Sequence, residues 1–272
     1  MAVIVDFLRA LRGGVAFLTR LPTGTASDDD WRALTKTPAA FPVVGVGLGL
    51  LAALPLLASE ILPAPTVAFG YLVGVYLLTG VHHLDGAADL GDAVVVHGDR
   101  ERRRAVLKDT TTGVGGLLAV ALVVAGLGLG ALALAGLPVA VAFTVAVAAE
   151  VGAKLGMAAM AALATASHEG FGSRFTEPAS PRSVVAPLGL SIVAVLSVAV
   201  LATAAAPPWA DSRSRLVLVA LATLAGALVG AAAPWRWARR SLGGVSGDVF
   251  GASNELSRVA GVHAGVIAWT LS

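Results

Sequence analysis

Three aspartates, Asp85, Asp89 and Asp92, recur at i, i+4 and i+7 in the run His83-Leu84-Asp85-Gly86-Ala87-Ala88-Asp89-Leu90-Gly91-Asp92. On a helix they project at about 0°, 40° and −20°, so they share one stripe. Carboxylates this close repel and partly protonate unless a cation lies among them. Hard oxygen donors, with no His or Cys on the stripe, favour Mg2+ or a similar ion. His83 falls about 160° from Asp85 on the same wheel and faces elsewhere. The bland alternative is a solvated acidic loop. Against it, the run directly follows the apolar stretch Val75–Val81. Acidic residues beside hydrocarbon are costly and tend to be functional.

Two further segments could build a site with these aspartates. Gly98-Asp99-Arg100-Glu101-Arg102-Arg103-Arg104 leads into Lys108-Asp109. As an exposed helix it is held by local ion pairs. Beside a metal cluster the same cations hold phosphate. Both readings stand, the first most strongly for Arg102 and Arg104. Thr110-Thr111-Thr112-Gly113 fits a cap for the next helix. The other segment, Gly243-Gly244-Val245-Ser246-Gly247-Asp248 with Glu255 beyond it, combines glycines that admit close backbone approach with two acids seven apart on one helical face. Ser246 or Asp248 is suited to start a helix. Paired with the aspartate stripe, this segment reads as a second wall of one site.

Other polar residues carry less. Glu150 and Lys154 sit i, i+4 in an apolar stretch, where mutual pairing and a polar site wall fit equally. Arg174, after His168-Glu169-Gly170-Phe171-Gly172-Ser173, is a phosphate-contact candidate, and His263 reads as a packing residue.

These residues need a scaffold, and composition names it. The 272 residues are 57% hydrophobic and 13% charged, against about 25% charged in an average soluble domain. Mean hydropathy is +0.83. Cysteine is absent, which removes disulfides, thiolate nucleophiles and Cys-based metal sites. A net charge of +2 gives no global polyanion-binding field, and no nucleic-acid partner is expected. Apolar runs at 38–61, 65–83, 113–136, 138–164, 183–206 and 215–233 are long enough to span a bilayer, and 259–271 is a shorter candidate for a seventh crossing or a re-entrant helix. Their Gly, Ala, Val and Leu content suits close helix packing. The expected fold is all-α: a polytopic bundle of six or seven membrane helices, one catalytic domain over 1–272. The first 20 residues, with Asp6, Arg9, Arg12 and Arg20 among apolar residues, fit an amphipathic helix in the interface. Asp28-Asp29-Asp30 reads as a solvated turn or cap.

If spans alternate, the N-terminus and segments 84–112, 165–182 and 234–258 share a side. Sixteen of the 19 Lys and Arg lie there, Arg213 and Arg215 lie opposite, and Lys154 is within a span. The positive-inside rule then places that side, and every polar motif above, on the cytoplasmic face of the cell membrane.

The sequence resembles the cobalamin synthase family, the adenosylcobinamide-GDP ribazoletransferases. The resemblance is carried by Phe17-Leu18-Thr19-Arg20-Leu21-Pro22, Phe41-Pro42-Val43-Val44-Gly45, His83-Leu84-Asp85-Gly86 with Asp89 and Asp92, Asp99-Arg100, Leu107-Lys108-Asp109 with Gly113, then Gly243-Gly244, Ser246-Gly247-Asp248, Gly251-Ala252 and Glu255-Leu256. These pieces follow the family's order across nearly the whole chain. Ala93, Leu90-Gly91 and Thr110-Thr111 depart from its pattern. A Ser-Arg pair of the middle span has no clear equivalent, with Lys154 nearby.

The resemblance implies a membrane enzyme that joins adenosylcobinamide-GDP to α-ribazole or its 5′-phosphate and releases GMP, with Mg2+. It implies Asp85, Asp89 and Asp92 as metal ligands and Asp248 or Asp92 as the base. Arg20, Arg100 and Lys108 become phosphate contacts, and Gly244, Gly247 and Glu255 part of the ligand wall. The lipid bilayer is the expected surrounding, with a homo-oligomer possible. A CDP-alcohol phosphotransferase making phospholipids and a cation transporter are the competing readings. The late Gly-Gly-Val-Ser-Gly-Asp segment counts against the first, and the placing of most acids at one surface against the second.

Overall fold

The computed structural model describes residues 2–204 and 212–272. The last two residues of the expected span 183–206 lie outside the described residues. Twelve α-helices and no strand occur among the described residues. Five helical stretches are long and apolar enough to cross a membrane, or six if one bent pair counts as a span.

Helix α1 (Ala2–Leu18) is followed by α2 (Asp28–Lys36). The three aspartates are therefore helical, not a turn. Ser27 caps α2, its hydroxyl accepting from the Asp30 N–H while the Asp30 carboxylate accepts from the Ser27 N–H. Helix α3 (Ala40–Ala52) passes at Ala53 into a 3-10 turn over Leu54–Ala58. Pro55, which has no N–H to donate, lies in that turn. Helix α4 (Ala64–Thr79) ends at Gly80, whose φ of +69° suits a residue without a Cβ.

The chain then turns by 93° into α5 (His82–Val95). The aspartate stripe is helical, and the basic segment after Gly98 forms α6 (Arg100–Val106), which Asp99 caps. Helices α7 (Val114–Ala135) and α8 (Val139–Leu163) follow, then the short α9 (Phe171–Thr176), α10 (Val185–Ala204), α11 (Ser212–Ser241) and α12 (Gly247–Leu271). The segment 234–258 comprises the end of α11, a turn at 242–246 and the start of α12, which begins after Ser246 as expected. The stretch 259–271 is the rest of that same 25-residue helix.

Helix α8 is the axis of the bundle: 83% of its apolar window is buried, against 22% for the stretch containing α10. Helices α11 and α12 run antiparallel against each other. A Cβ on Gly230 of α11 would meet the α12 backbone at Leu256 at 2.4 Å, so only glycine permits that crossing. At the far end of this pair Arg215 sits 4.1 Å over the Trp269 ring. At the other end lie the 242–246 turn, the α4–α5 elbow, α6 and α9.

Within the bundle Glu150 and Lys154 (α8) meet Glu255 and Arg258 (α12), all at 1% exposure or less. Arg258 pairs with Glu150 and, at 2.7 Å, with Glu255, while Lys154 lies 3.4 Å from Glu150. Two cations thus balance two anions, the condition on which charges survive in hydrocarbon. Mutual pairing of Glu150 and Lys154 is the reading that holds. Arg258 leaves the set of surface cations assigned from sequence. Asn254 stitches the group together, accepting from Lys154 Nζ at 2.6 Å and bonding both Glu255 and His83 at 3.1 Å. Tyr76 of α4 donates to Glu255 at 3.2 Å.

Candidate active site

Helices α5 and α12 touch backbone to backbone, and two glycines make that possible. A Cβ on Gly86 would lie 2.8 Å from the Asp248 carbonyl oxygen and 2.9 Å from its Cα. One on Gly251 would lie 3.0 Å from the His83 carbonyl oxygen. Contact this close brings the aspartate stripe of α5 beside the first turn of α12. The charges of Asp248, Asp85 and Asp92 all bear on Asp89, in that order of strength. The two polar segments, 163 residues apart if measured from Asp85 to Asp248, therefore form one acidic surface.

The members differ in what else they hold. Asp85 is exposed and Asp89 half-buried. Asp248 receives a hydrogen bond on Oδ2 from the Ser246 hydroxyl at 3.1 Å. Asp92 is turned toward α7: its Oδ2 accepts from the Gly113 N–H at 2.7 Å and its Oδ1 from the Gly116 N–H at 2.8 Å. A Cβ on Gly113 or Gly116 would strike that carboxylate. Asp92 is thus the cap of α7, where a negative charge is favoured by the helix dipole. The capping expected of the threonines falls to Asp92, while Asp109 accepts from the N–H and hydroxyl of Thr111. The Thr111 N–H first, and then its hydroxyl, hold the Asp109 carboxyl below the usual carboxylate range. Each oxygen of Asp92 thus accepts one backbone hydrogen bond and keeps a further lone pair, so the cap is compatible with its expected roles as ligand and as base.

Among the described residues no three His, Asp or Glu side chains are disposed to hold an ion by themselves. A hard divalent ion is commonly held by one or two carboxylates with substrate phosphate completing its shell. Asp85 and Asp89, one helical turn apart, fit that donor set.

Arg20 lies at the α4–α5 elbow. Its N–H donates to the Leu78 carbonyl at 2.7 Å, and its side chain covers Gly80, whose Cβ would fall 2.5 Å from Nε. Arg20 therefore stands at the edge of the acidic surface. Arg104 donates from Nε and Nη2 to the Leu242 carbonyl at 2.9 and 2.5 Å, and Arg100 reaches the Arg240 carbonyl at 3.4 Å. Both cations sit on the C-terminal end of α11, where they oppose its dipole and fix the glycine turn. Lys108 is exposed beyond α6.

The glycines separate as well. Gly244 is buried against the backbone of 165–167, where Val245 donates to the Thr165 carbonyl and accepts from the Ser167 N–H, and so it packs the turn. Gly247 borders a cavity of about 430 Å3 that Asp248, Thr79, His82 and His83 also line. Glu255, expected in the ligand wall, belongs to the buried ion group two helical turns deeper. His83 faces away from the stripe, as its wheel position indicates, toward Asn254.

Sequence reasoning gave no site role to Thr79, His82, Trp31 or Phe17, which also line that cavity. Phe17 stands there only as a member of the Phe17–Pro22 motif, and His82 only beside His83. His263 packs as expected, with Nε2 2.9 Å from the Gly126 carbonyl oxygen.

A family model described as cobalamin-5-phosphate synthase matches residues 10–266. The chain belongs to this family. It is 49% identical over 271 residues to the adenosylcobinamide-GDP ribazoletransferase of Halorubrum lacusprofundi, covering 97% of this chain and 98% of that one. It is 52% identical over 210 residues to the enzyme of that name from Halobacterium salinarum, covering 77% and 97%. For the Methanocella arvoryzae relative of the same name the identity is 32% over 266 residues, covering 97% and 98%. No solved structure gives a significant match. Neither the phospholipid-synthase nor the transporter reading finds support in these relatives.

Proposed function

We propose that this family member transfers the cobinamide phosphate of adenosylcobinamide-GDP to a ribosyl hydroxyl of α-ribazole or its 5′-phosphate, releasing GMP. The observation that carries the reading is the contact at Gly86, which sets the α5 carboxylates beside Asp248 in a chain of this family. The acceptor hydroxyl gives its proton to the Asp248 carboxylate, whose Oδ1 is left open by the Ser246 bond. Its oxygen bonds to the phosphorus on the cobinamide side. The bridging P–O bond breaks, and GMP leaves with the electron pair.

Asp85 and Asp89 would hold Mg2+, which supplies neutralisation of diphosphate charge when bound. Arg20, whose side chain covers Gly80 at the elbow, would meet a non-bridging oxygen. The one-sided distribution of surface Lys and Arg supports a cytoplasmic site in the cell membrane.

The test uses membranes carrying the chain, adenosylcobinamide-GDP, Mg2+ and each acceptor in turn. Cobalamin formation with one GMP per turnover is expected, abolished by EDTA and restored by Mg2+. Asp85→Asn and Asp89→Asn should lose transfer while keeping the wild-type melting temperature. Unimpaired transfer by both variants, or by metal-stripped membranes, refutes the metal assignment. Absence of product with either acceptor refutes the reaction.

A further inference from the structure

The cavity beside Asp248 is lined by two kinds of side chain. Thr79, His82, His83 and Asp248 are polar. Phe17 from α1, Trp31 from α2 and Phe171 from α9 form an aromatic part of the same wall, with Phe171 against Gly247. Their rings lean on one another, with centroids 5.0 Å apart for Phe17 and Phe171, 5.4 Å for Phe17 and Trp31, and 6.4 Å at 87° for Trp31 and Phe171. Phe17 and Phe171 are backed by Phe175, which Phe41 and Phe250 also contact, so this wall is rigid. Aromatic residues that merely anchor a protein in the interface lie as a belt facing lipid. These three converge from separate helices on one space, and none is more than partly exposed.

We propose that this wall is the subsite for the acceptor's aromatic base, which stacks against Trp31 and Phe171 while the ribose points its hydroxyls at Asp248. The inference rests on the transferase reading above and names the subsite within it. A volume of about 430 Å3 falls in the range of small-molecule sites, roughly 300–1,000 Å3. It accommodates a nucleoside-sized acceptor and not a corrinoid. Guanine, the other base in the reaction, suits the wall poorly. Its edge donors and acceptors would face carbon, and polar groups buried without partners are costly. A fused ring with few polar edge atoms has no such need. One cavity is lined by both the rings and Asp248, so an acceptor whose base stacks on the rings has its ribose hydroxyls within the space that Asp248 borders.

The full chain in lipid vesicles tests this by steady-state kinetics with each substrate varied in turn. Base stacking on an aromatic residue is worth roughly 1–3 kcal/mol, so Trp31→Leu should raise the acceptor KM by roughly five- to hundredfold. The KM for adenosylcobinamide-GDP and kcat should stay within about twofold. Trp31→Phe, which keeps a ring, should restore most of the loss, and Phe171→Leu should show the same selective rise. A rise confined to the nucleotide substrate's KM would place guanine in the cavity and overturn the proposal. So would unchanged KM values for both substrates. Tryptophan fluorescence titrated with α-ribazole alone needs no turnover: quenching in wild type that disappears in Trp31→Phe supports the subsite, and no difference between them overturns it. A chain that binds α-ribazole this way yet forms no cobalamin would sink the transferase reading and leave the subsite standing.

Discussion

Replacing Gly86 by alanine adds one methyl group at the point where the site is assembled. That Cβ would lie 2.8 Å from the Asp248 carbonyl oxygen and 2.9 Å from its Cα. Van der Waals contact begins near 3.5 Å, so α5 and the first turn of α12 must part by roughly 0.6 Å. Both colliding atoms are backbone, so no side chain can swing aside. A reactive constellation tolerates displacement of about 0.5 Å, and 1 Å costs on the order of a hundredfold in rate. We therefore expect kcat for GMP release to fall roughly 10- to 100-fold. Overpacking costs about 1–3 kcal/mol, and the better helix propensity of alanine offsets up to about 1 kcal/mol of that, so the protein stays folded. GMP release is measured at saturating substrates beside a thermal melt in detergent. Gly128→Ala is the control: it lies in α7 with nothing within 4 Å of the added carbon, and should leave both readouts unchanged. A folded Gly86→Ala protein with wild-type kcat would refute the claim that this contact sets the distance between Asp248 and the aspartate stripe.

Three further outcomes are expected. Asp92→Ala, by removing the cap of α7, should destabilise the protein by about 1–2 kcal/mol, seen as a lower melting temperature. An unchanged melt would refute the cap. Arg258→Met leaves two buried carboxylates with a single cation and should cost about 3–5 kcal/mol. Adding Glu150→Gln should recover part of it, and strictly additive losses would argue against the pairing. Asp30 gives a pH dependence: the Ser27 N–H, then the Ser27 hydroxyl, hold its carboxyl below the usual 3.8. Its stabilising effect is complete above that unfolded-state value and fades as pH falls through the lower folded one. Asp30→Asn should flatten this acid limb of the melting curve, and an unaltered limb would disprove its origin.

The sequence made the membrane character legible because long apolar runs need no tertiary information. The aspartate stripe was legible for a similar reason: a spacing of four and three fixes a face on any helix. What the stripe faces was not, since the partners of Asp92 are backbone N–H groups of Gly113 and Gly116, which carry no side-chain signal. That Glu255 and Arg258 lie buried was not legible either, because the further partners that complete their group, Glu150 and Lys154, lie about a hundred residues away. The elbow at Gly80 hid in the same way, since one positive φ separates a continuous span from a 93° turn. The glycines of the family motif were visible, but only contact distances distinguish Gly247 at the cavity from Gly244 beneath the turn.

The buried ion group also bears on how the chain enters the bilayer. Before docking, Glu150 and Lys154 can neutralise each other one turn apart on α8, and Glu255 and Arg258 can do the same on α12. Each helix thus partitions as a locally neutral rod. Docking adds the cross-pair of Arg258 with Glu150 and the bridge through Asn254. A helix that docks out of register forfeits both, so the same four charges that lower the barrier to insertion also proofread the seam on which the site is later built.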